Sequence, residues 1–366
     1  MTAVQFLEMF VSVSIQAAIY VVLCAWISSR TSSDRSRSQL WAYCQFGLLG
    51  LVMLACSLPH FRIVHGRELS TPEKILEAVN LQTWLGEFLF VVWGIGFLMA
   101  MTRVLISGIR LVRFLRTLRS LDSTRLPLPP LADELPKISH VRFFVSDSLA
   151  GPFCWQFQRP VMVLPTAFLD FESRELQLIL KHELAHLKAD HPLQLFIQQV
   201  VQCVFWFHPV VIWGGRQTDI ARELMCDAAA AEDRQEIADY LRVLLRVMER
   251  TPDVRQTPVG LGLIFQRDPS AIALRARRLT ARAKSATTLS RGWDWFPWCS
   301  LLLVGVVTAL WLPVNALSSP RSNWSACPAW TAEVLHDFGI NARDYEVYDG
   351  RLQIFDRDEN QSGECD

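Results

Sequence analysis

The chain has 366 residues, of which 51% are hydrophobic and 20% charged, with 13 Trp, 21 Phe, 5 Tyr and zero net charge. Its mean hydropathy is +0.21. An apolar excess rich in Trp suits a membrane protein with interfacial anchors rather than a water-soluble globule. With no long basic run and no aromatic–basic platform, direct nucleic-acid binding is excluded.

Three apolar runs come first, at about 6–28, 39–58 and 81–103, each near the ~20 residues a helix needs to cross a bilayer. The first has no positively charged start and carries Glu8, so it does not read as a signal peptide. Arg30, Arg35 and Arg37 follow the first run, and Arg103, Arg110, Arg113, Arg116 and Arg119 follow the third. The positive-inside rule places these loops in the cytoplasm and the N-terminus outside. The Pro-rich stretch 121–139 reads as a linker. Residues 141–147 and 159–165 read as strands, joined by 148–158. Residues 172–190 and 217–250 read as helices. A fourth apolar run, 293–314, follows a basic segment from Arg275 to Arg291 and precedes an acidic tail, which places the C-terminus outside as well. The expected layout is three membrane helices in 1–103, a cytoplasmic domain in 104–292, a fourth membrane helix in 293–314 and an outer tail in 315–366.

The chemistry concentrates in HELAHLKADH, residues 182–191. On a helix His182 and His186 share one face, so both imidazoles can bind one zinc ion. Glu183 is then placed to take a proton from a zinc-bound water, the logic of an H-E-x-x-H protease. A third ligand is sought in DIARELMCDAAAAED, residues 219–233. Glu223 is the preferred ligand, with an open fourth position for water, and Asp227, four residues on, is expected to brace the site from behind. Asp190 either orients His186 or lies on the helix surface. His191, just before Pro192, is off the 182/186 face and is not counted as a ligand. His208 is a candidate for contact with the oxyanion or substrate, with an interfacial structural role as the alternative. Nine Cys include no C-x-x-C pair, so a cysteine zinc knuckle is not expected.

Residues 193–213 are apolar enough to suggest another crossing. Yet His182 and His186 precede the segment and Glu223 follows it. A crossing would separate the ligands by ~30 Å. The segment is therefore expected to turn back against the other spans, near the cytoplasmic interface.

HELAHLKADH, followed by FWFHPVVIW and RELMCDAAAA and preceded by GPFCWQFQRPVMVLP, resembles the M56 family of membrane zinc metallopeptidases, the BlaR1/MecR1-type sensor-transducers. The resemblance implies a polytopic helical membrane protein of a bacterial inner membrane, with a cytoplasmic α+β, gluzincin-like zinc protease domain. It implies His182, His186 and Glu223 as ligands of Zn2+, Glu183 as general base, and VMVLP as the edge strand on which a peptide adds. The implied task is regulatory proteolysis: self-cleavage, cleavage of a cytoplasmic transcriptional repressor, or both. The short tail has no S-x-x-K, so a penicillin-binding sensor domain is not expected; Cys327 and Cys365 could clip that tail in an oxidising compartment. The expected partners are a peptide or protein substrate and the lipid bilayer, with a homo-oligomer left open. A housekeeping protease of HtpX type and a non-enzymatic membrane receptor or scaffold are the competing readings.

Overall fold

A computed structural model describes residues 2–58, 60–62, 71–122, 126–127, 141–149, 151–156, 159–250, 269–284 and 296–308, with scattered residues from there to 353. Most of the 121–139 linker, the flanks of the 293–314 run, and Cys327 and Cys365 lie outside the described residues. Among the described residues, three helices are long and apolar enough to cross a membrane: α1 (Ala3–Arg30), α2 (Asp34–Ser57) and α3 (Pro72–Thr117). Helix α3 does not stop at 103. Its apolar positions continue through Leu105, Ile109 and Val112, without a Gly–Pro break, and it runs on to Thr117.

The polypeptide then forms a four-stranded sheet from β1 (Arg119–Leu121), β2 (Arg142–Ser146), β3 (Phe153–Trp155) and β4 (Val161–Pro165), in the order β1-β2-β4-β3. Strand β4 pairs in parallel with β2 and antiparallel with β3. All five of its residues are buried. This corrects the expectation that VMVLP is the edge. An apolar run buried on both faces is the mark of a central strand. The edge is β3, three residues within the stretch taken as a connection.

Helices α4 (Ser173–Lys188), α5 (His191–Val204), α6 (Pro209–Ala230), α7 (Arg234–Arg250) and α8 (Pro269–Lys284) follow. The predicted 217–250 helix is two helices, because the chain leaves helical geometry at Ala231. Helix α9 (Phe296–Thr308) covers 13 residues of the fourth apolar run and packs on α2 and α1.

Two cores result. One joins the sheet to α4, α7 and α8 through Phe143, Met162, Leu180, Leu184, Tyr240 and Leu279. The other joins α1, α2 and α9 to the α5–α6 hairpin through Tyr20, Trp41, Leu48, Val201, Phe205 and Val304. The apolar segment 193–213 is this hairpin. Its tip enters the bundle: Phe207 stacks on Phe10 at 4.7 Å between ring centroids, Trp206 Nε1 donates to the Trp93 carbonyl at 3.3 Å, and His208 Nε2 lies 3.0 Å from the Ser14 carbonyl. Ser14 is about 16 Å along α1 from Ala3 at 1.5 Å per residue. The hairpin therefore penetrates well into the bundle, further than an interfacial dip. The close approach needs Gly96, where a Cβ would fall 2.1 Å from the Trp206 ring.

Candidate metal centre

Helix α4 is fixed at its start by a reciprocal capping box between Glu172 and Glu175. It presents His182 and His186 on one face, both nearly enclosed. Helix α6 brings Glu223 opposite them. His182 Nε2 and His186 Nε2 are 3.2 Å apart, and Glu223 carboxylate oxygens lie 3.5 Å from each. Four ligands around zinc at about 2.0–2.1 Å would be about 3.3 Å apart along a tetrahedral edge. The triangle therefore fits a zinc-sized ion with one position to spare, and its two imidazoles and one carboxylate are donors that zinc accepts. These three residues could hold a metal ion.

A second layer holds the histidines. His182 Nδ1 lies 3.2 Å from Asp227 Oδ1 and 3.0 Å from the Tyr240 hydroxyl, which itself donates to Asp227 at 2.8 Å. Arg275, from α8, donates to both Asp227 oxygens at 2.8 and 2.5 Å and reaches Glu223 at 3.0 Å. His191 lies with its Nδ1 2.9 Å from His186 Nδ1, and Cys226 Sγ is 3.5 Å from His191 Nδ1. His186, His191 and Cys226 form a second group able to hold a metal. Glu183 is buried, with its carboxylate 3.4 Å from the Cys154 thiol on β3.

The structure thus brings together His182, Glu183, His186, Glu223 and Asp227, and adds Arg275, Tyr240 and His191. Asp190 and His208 are placed elsewhere. Asp190 adopts φ 54° and accepts a hydrogen bond from Gln156 at 2.8 Å. It is the turn between α4 and α5, a left-handed position that Asp tolerates. That turn reverses the chain and swings His191 back onto His186. The helical-face argument set His191 aside because it continued α4 through a residue where the helix has already ended. His208 caps α6, where its Nδ1 accepts from the Val211 amide. It is about 22 Å along the helix from Glu223, too far to meet an oxyanion at the metal triangle. Arg275 was hidden in a basic run whose other members suit a membrane border. Tyr240 carried no spacing signal.

Burial disfavours a charge on each of these groups, and their neighbours decide the outcome. For His182, bonds to Asp227 and Glu223 overcome burial and push its pKa up to about 9. Burial, reinforced by the His182 charge, lowers His186 to about 3 despite the pull of Glu223. Burial would raise both acids, but Arg275 and the histidines hold Glu223 well below the usual carboxylate range, and Arg275 and His182 hold Asp227 at about 2. Glu183 goes up, because burial and the Glu223 charge outweigh the cations near it. The acids opposite the histidines are thus ionised, while the Glu183 carboxyl holds its proton more readily than one in water.

A family model described as BlaR1 peptidase M56 matches residues 8–276. A relative, regulatory protein BlaR1 of Bacillus licheniformis, is 24% identical over 161 residues, which is 43% of this chain and 27% of that protein. Methicillin resistance mecR1 proteins of Staphylococcus aureus and Staphylococcus epidermidis are each 29% identical over 92 residues, 24% of this chain and 15% of theirs. The matched region therefore spans about a quarter or less of the length of these relatives.

Proposed function

Since the chain belongs to the M56 peptidase family, we propose that it is a membrane-embedded zinc endopeptidase of gluzincin-like fold, working in regulatory proteolysis at the cytoplasmic face of a bacterial inner membrane. The observation that carries this reading is the triangle of His182, His186 and Glu223 at tetrahedral spacing, with Glu183 beside it. Zinc held there would supply a Lewis acid for the scissile carbonyl and a water of lowered pKa.

The chain's own residues do the rest. Asp227 and the Tyr240 oxygen accept a hydrogen bond from His182 Nδ1–H, and His191 Nδ1 accepts one from His186 Nδ1–H, which would leave both Nε2 lone pairs free for the metal. Glu183 accepts the proton of the attacking water and passes it to the leaving amide nitrogen. Strand β3 has one edge unpaired among the described residues, and its Cys154 touches Glu183. A substrate adding to that edge would have its backbone drawn across the triangle.

Support for this membrane level comes from α1 and α6, which run side by side in the same direction. His208 meets Ser14, and Gly214 abuts Val21. Glu223 is about 13 Å past Gly214, level with the Arg30–Arg37 loop. The printed names of the relatives, a regulatory protein and resistance proteins, favour a regulatory target: this chain itself, a cytoplasmic repressor, or both.

The test compares wild type with Glu183→Gln in the native host by sequencing of new protein N-termini, and in purified form by zinc content. The expected result is one zinc per chain in both, and a cytoplasmic cleavage product lost in the variant, with activity down about 10²–10⁴-fold. A metal-free wild type, or identical N-termini in the two strains, overturns it.

A further inference from the structure

A groove of about 520 Å³ runs between the C-terminal part of α3 and the first turns of α5. Its walls are Leu105, Ile109 and Val112 on α3, and Leu195 and Phe196 on α5, with Trp155 of β3 at one side. Arg113 and Arg116 complete it. Nothing in the zinc chemistry uses this space.

The wall on α3 is apolar and exposed, Leu105 by 59% and Ile109 by 52%. Both lie on the membrane side of Arg113, which stands level with Arg30: Gly86 abuts Ala3, and each arginine is about 40 Å further along its helix. The two arginines are exposed as well, and no carboxylate pairs with either among the described residues. The order along the helix is also specific. The apolar part, from Val104 to Val112, is nearer the bilayer, and Arg113 is about 12 Å further out from Leu105. An occupant must therefore be apolar toward the membrane and anionic toward the cytoplasm.

We propose that this groove binds one anionic phospholipid of the cytoplasmic leaflet, with an acyl chain against Leu105, Ile109 and Phe196 and its phosphate on Arg113 and Arg116. Charge complementarity selects this occupant over an apolar peptide, which would satisfy the walls but leave both cations without a partner. The volume is in the range of small-ligand sites, about 300–1,000 Å³, suited to one chain and a headgroup rather than to a helix. The lipid would lie against Trp155, the residue after the one that touches Glu183, so its occupancy would brace the edge strand next to the metal triangle.

Two measurements on the full chain test this. In nanodiscs, the fluorescence of Trp155 is isolated as the difference between wild type and Trp155→Phe, using brominated phosphatidylglycerol or brominated phosphatidylcholine as quencher. The phosphatidylglycerol is expected to quench that difference signal several-fold more, and Arg113→Gln with Arg116→Gln to equalise the two. In native mass spectrometry, the detergent-purified wild type should retain one anionic phospholipid. At about fivefold per surface arginine, the double variant should hold it roughly twentyfold more weakly. Both arginines are exposed, so this arm does not depend on Trp155→Phe folding. Equal quenching by both lipids would mean an ordinary lipid annulus, absent quenching would mean a groove shut to lipid and open to a peptide, and undiminished retention in the double variant would mean a site elsewhere. Each of these overturns the proposal.

Discussion

Arg275 sets the charge balance of the centre. It is the cation shared by Glu223 and Asp227, and it sits almost wholly out of water. Removing one partner of a buried ionic network leaves the others uncompensated, at a cost of about 3–5 kcal/mol. Arg275→Met should therefore lower the thermal midpoint of the metal-free protein sharply, whereas Arg277→Met, outside the network, should leave it nearly unchanged. His182 predicts a pH dependence for metal capture. Without metal it holds a proton up to pH about 9, and it must lose that proton to become a ligand. His186, at about 3, is already neutral, and Glu223 is already ionised. Zinc binding at pH 7 should thus release close to one proton, and affinity should fall about tenfold per pH unit from about pH 8 down to 6. Calorimetry in buffers of different ionisation enthalpy measures the proton count; a count of zero would contradict the assignment. His182, Glu183 and His186 could be grouped from spacing alone because one helix repeat places them together. Glu223 and Asp227 could be named as candidates from their own four-residue spacing, but they meet the histidines only through the docking of α6 on α4. Arg275, Tyr240 and His191 could not, since their places depend on how separate helices dock.

The α5–α6 hairpin is the element on which the centre depends. Its tip is locked by Phe10, Trp93 and Ser14, and Gly96 makes the room. A side chain at Gly96 must push into the rigid Trp206 ring, an overpacking worth about 1–3 kcal/mol. Gly96→Val should loosen the tip and weaken zinc retention during dialysis against a chelator, while Gly94→Val, which meets nothing within 4 Å, should not. That the hairpin turns back was legible in the sequence, because ligands on both sides of an apolar segment cannot form one site across a bilayer. Its depth was not, as it rests on ring contacts with α1 and α3. Strand β3 escaped notice for a different reason. Three residues are too few to display the two-residue alternation by which strands are recognised, so nothing in the sequence stood against the edge that the family resemblance assigned to VMVLP.

At the scale of the whole molecule, the two cores share one function. The histidines belong to a helix of the α/β core, and Glu223 to a helix that threads the membrane bundle. Residues 104–292, expressed without α1, α2 and the part of α3 before residue 104, lose the partners of Phe207, Trp206 and His208 and should fail to bind zinc stoichiometrically, where the full chain in lipid should bind one ion. A fragment with full metal content would refute this dependence. The apolar helices and the two-sided arrangement around HELAHLKADH were evident from hydropathy and motif. The division into two cores was not, because hydropathy alone cannot tell a helix that faces lipid from one that faces another helix. Splitting the ligands between the cores has a consequence for the newborn chain. His182 and His186 leave the ribosome before Glu223, and on the proposed reading the third ligand would reach them only when the hairpin docks against α1 and α3. Membrane insertion would then be what completes the metal site.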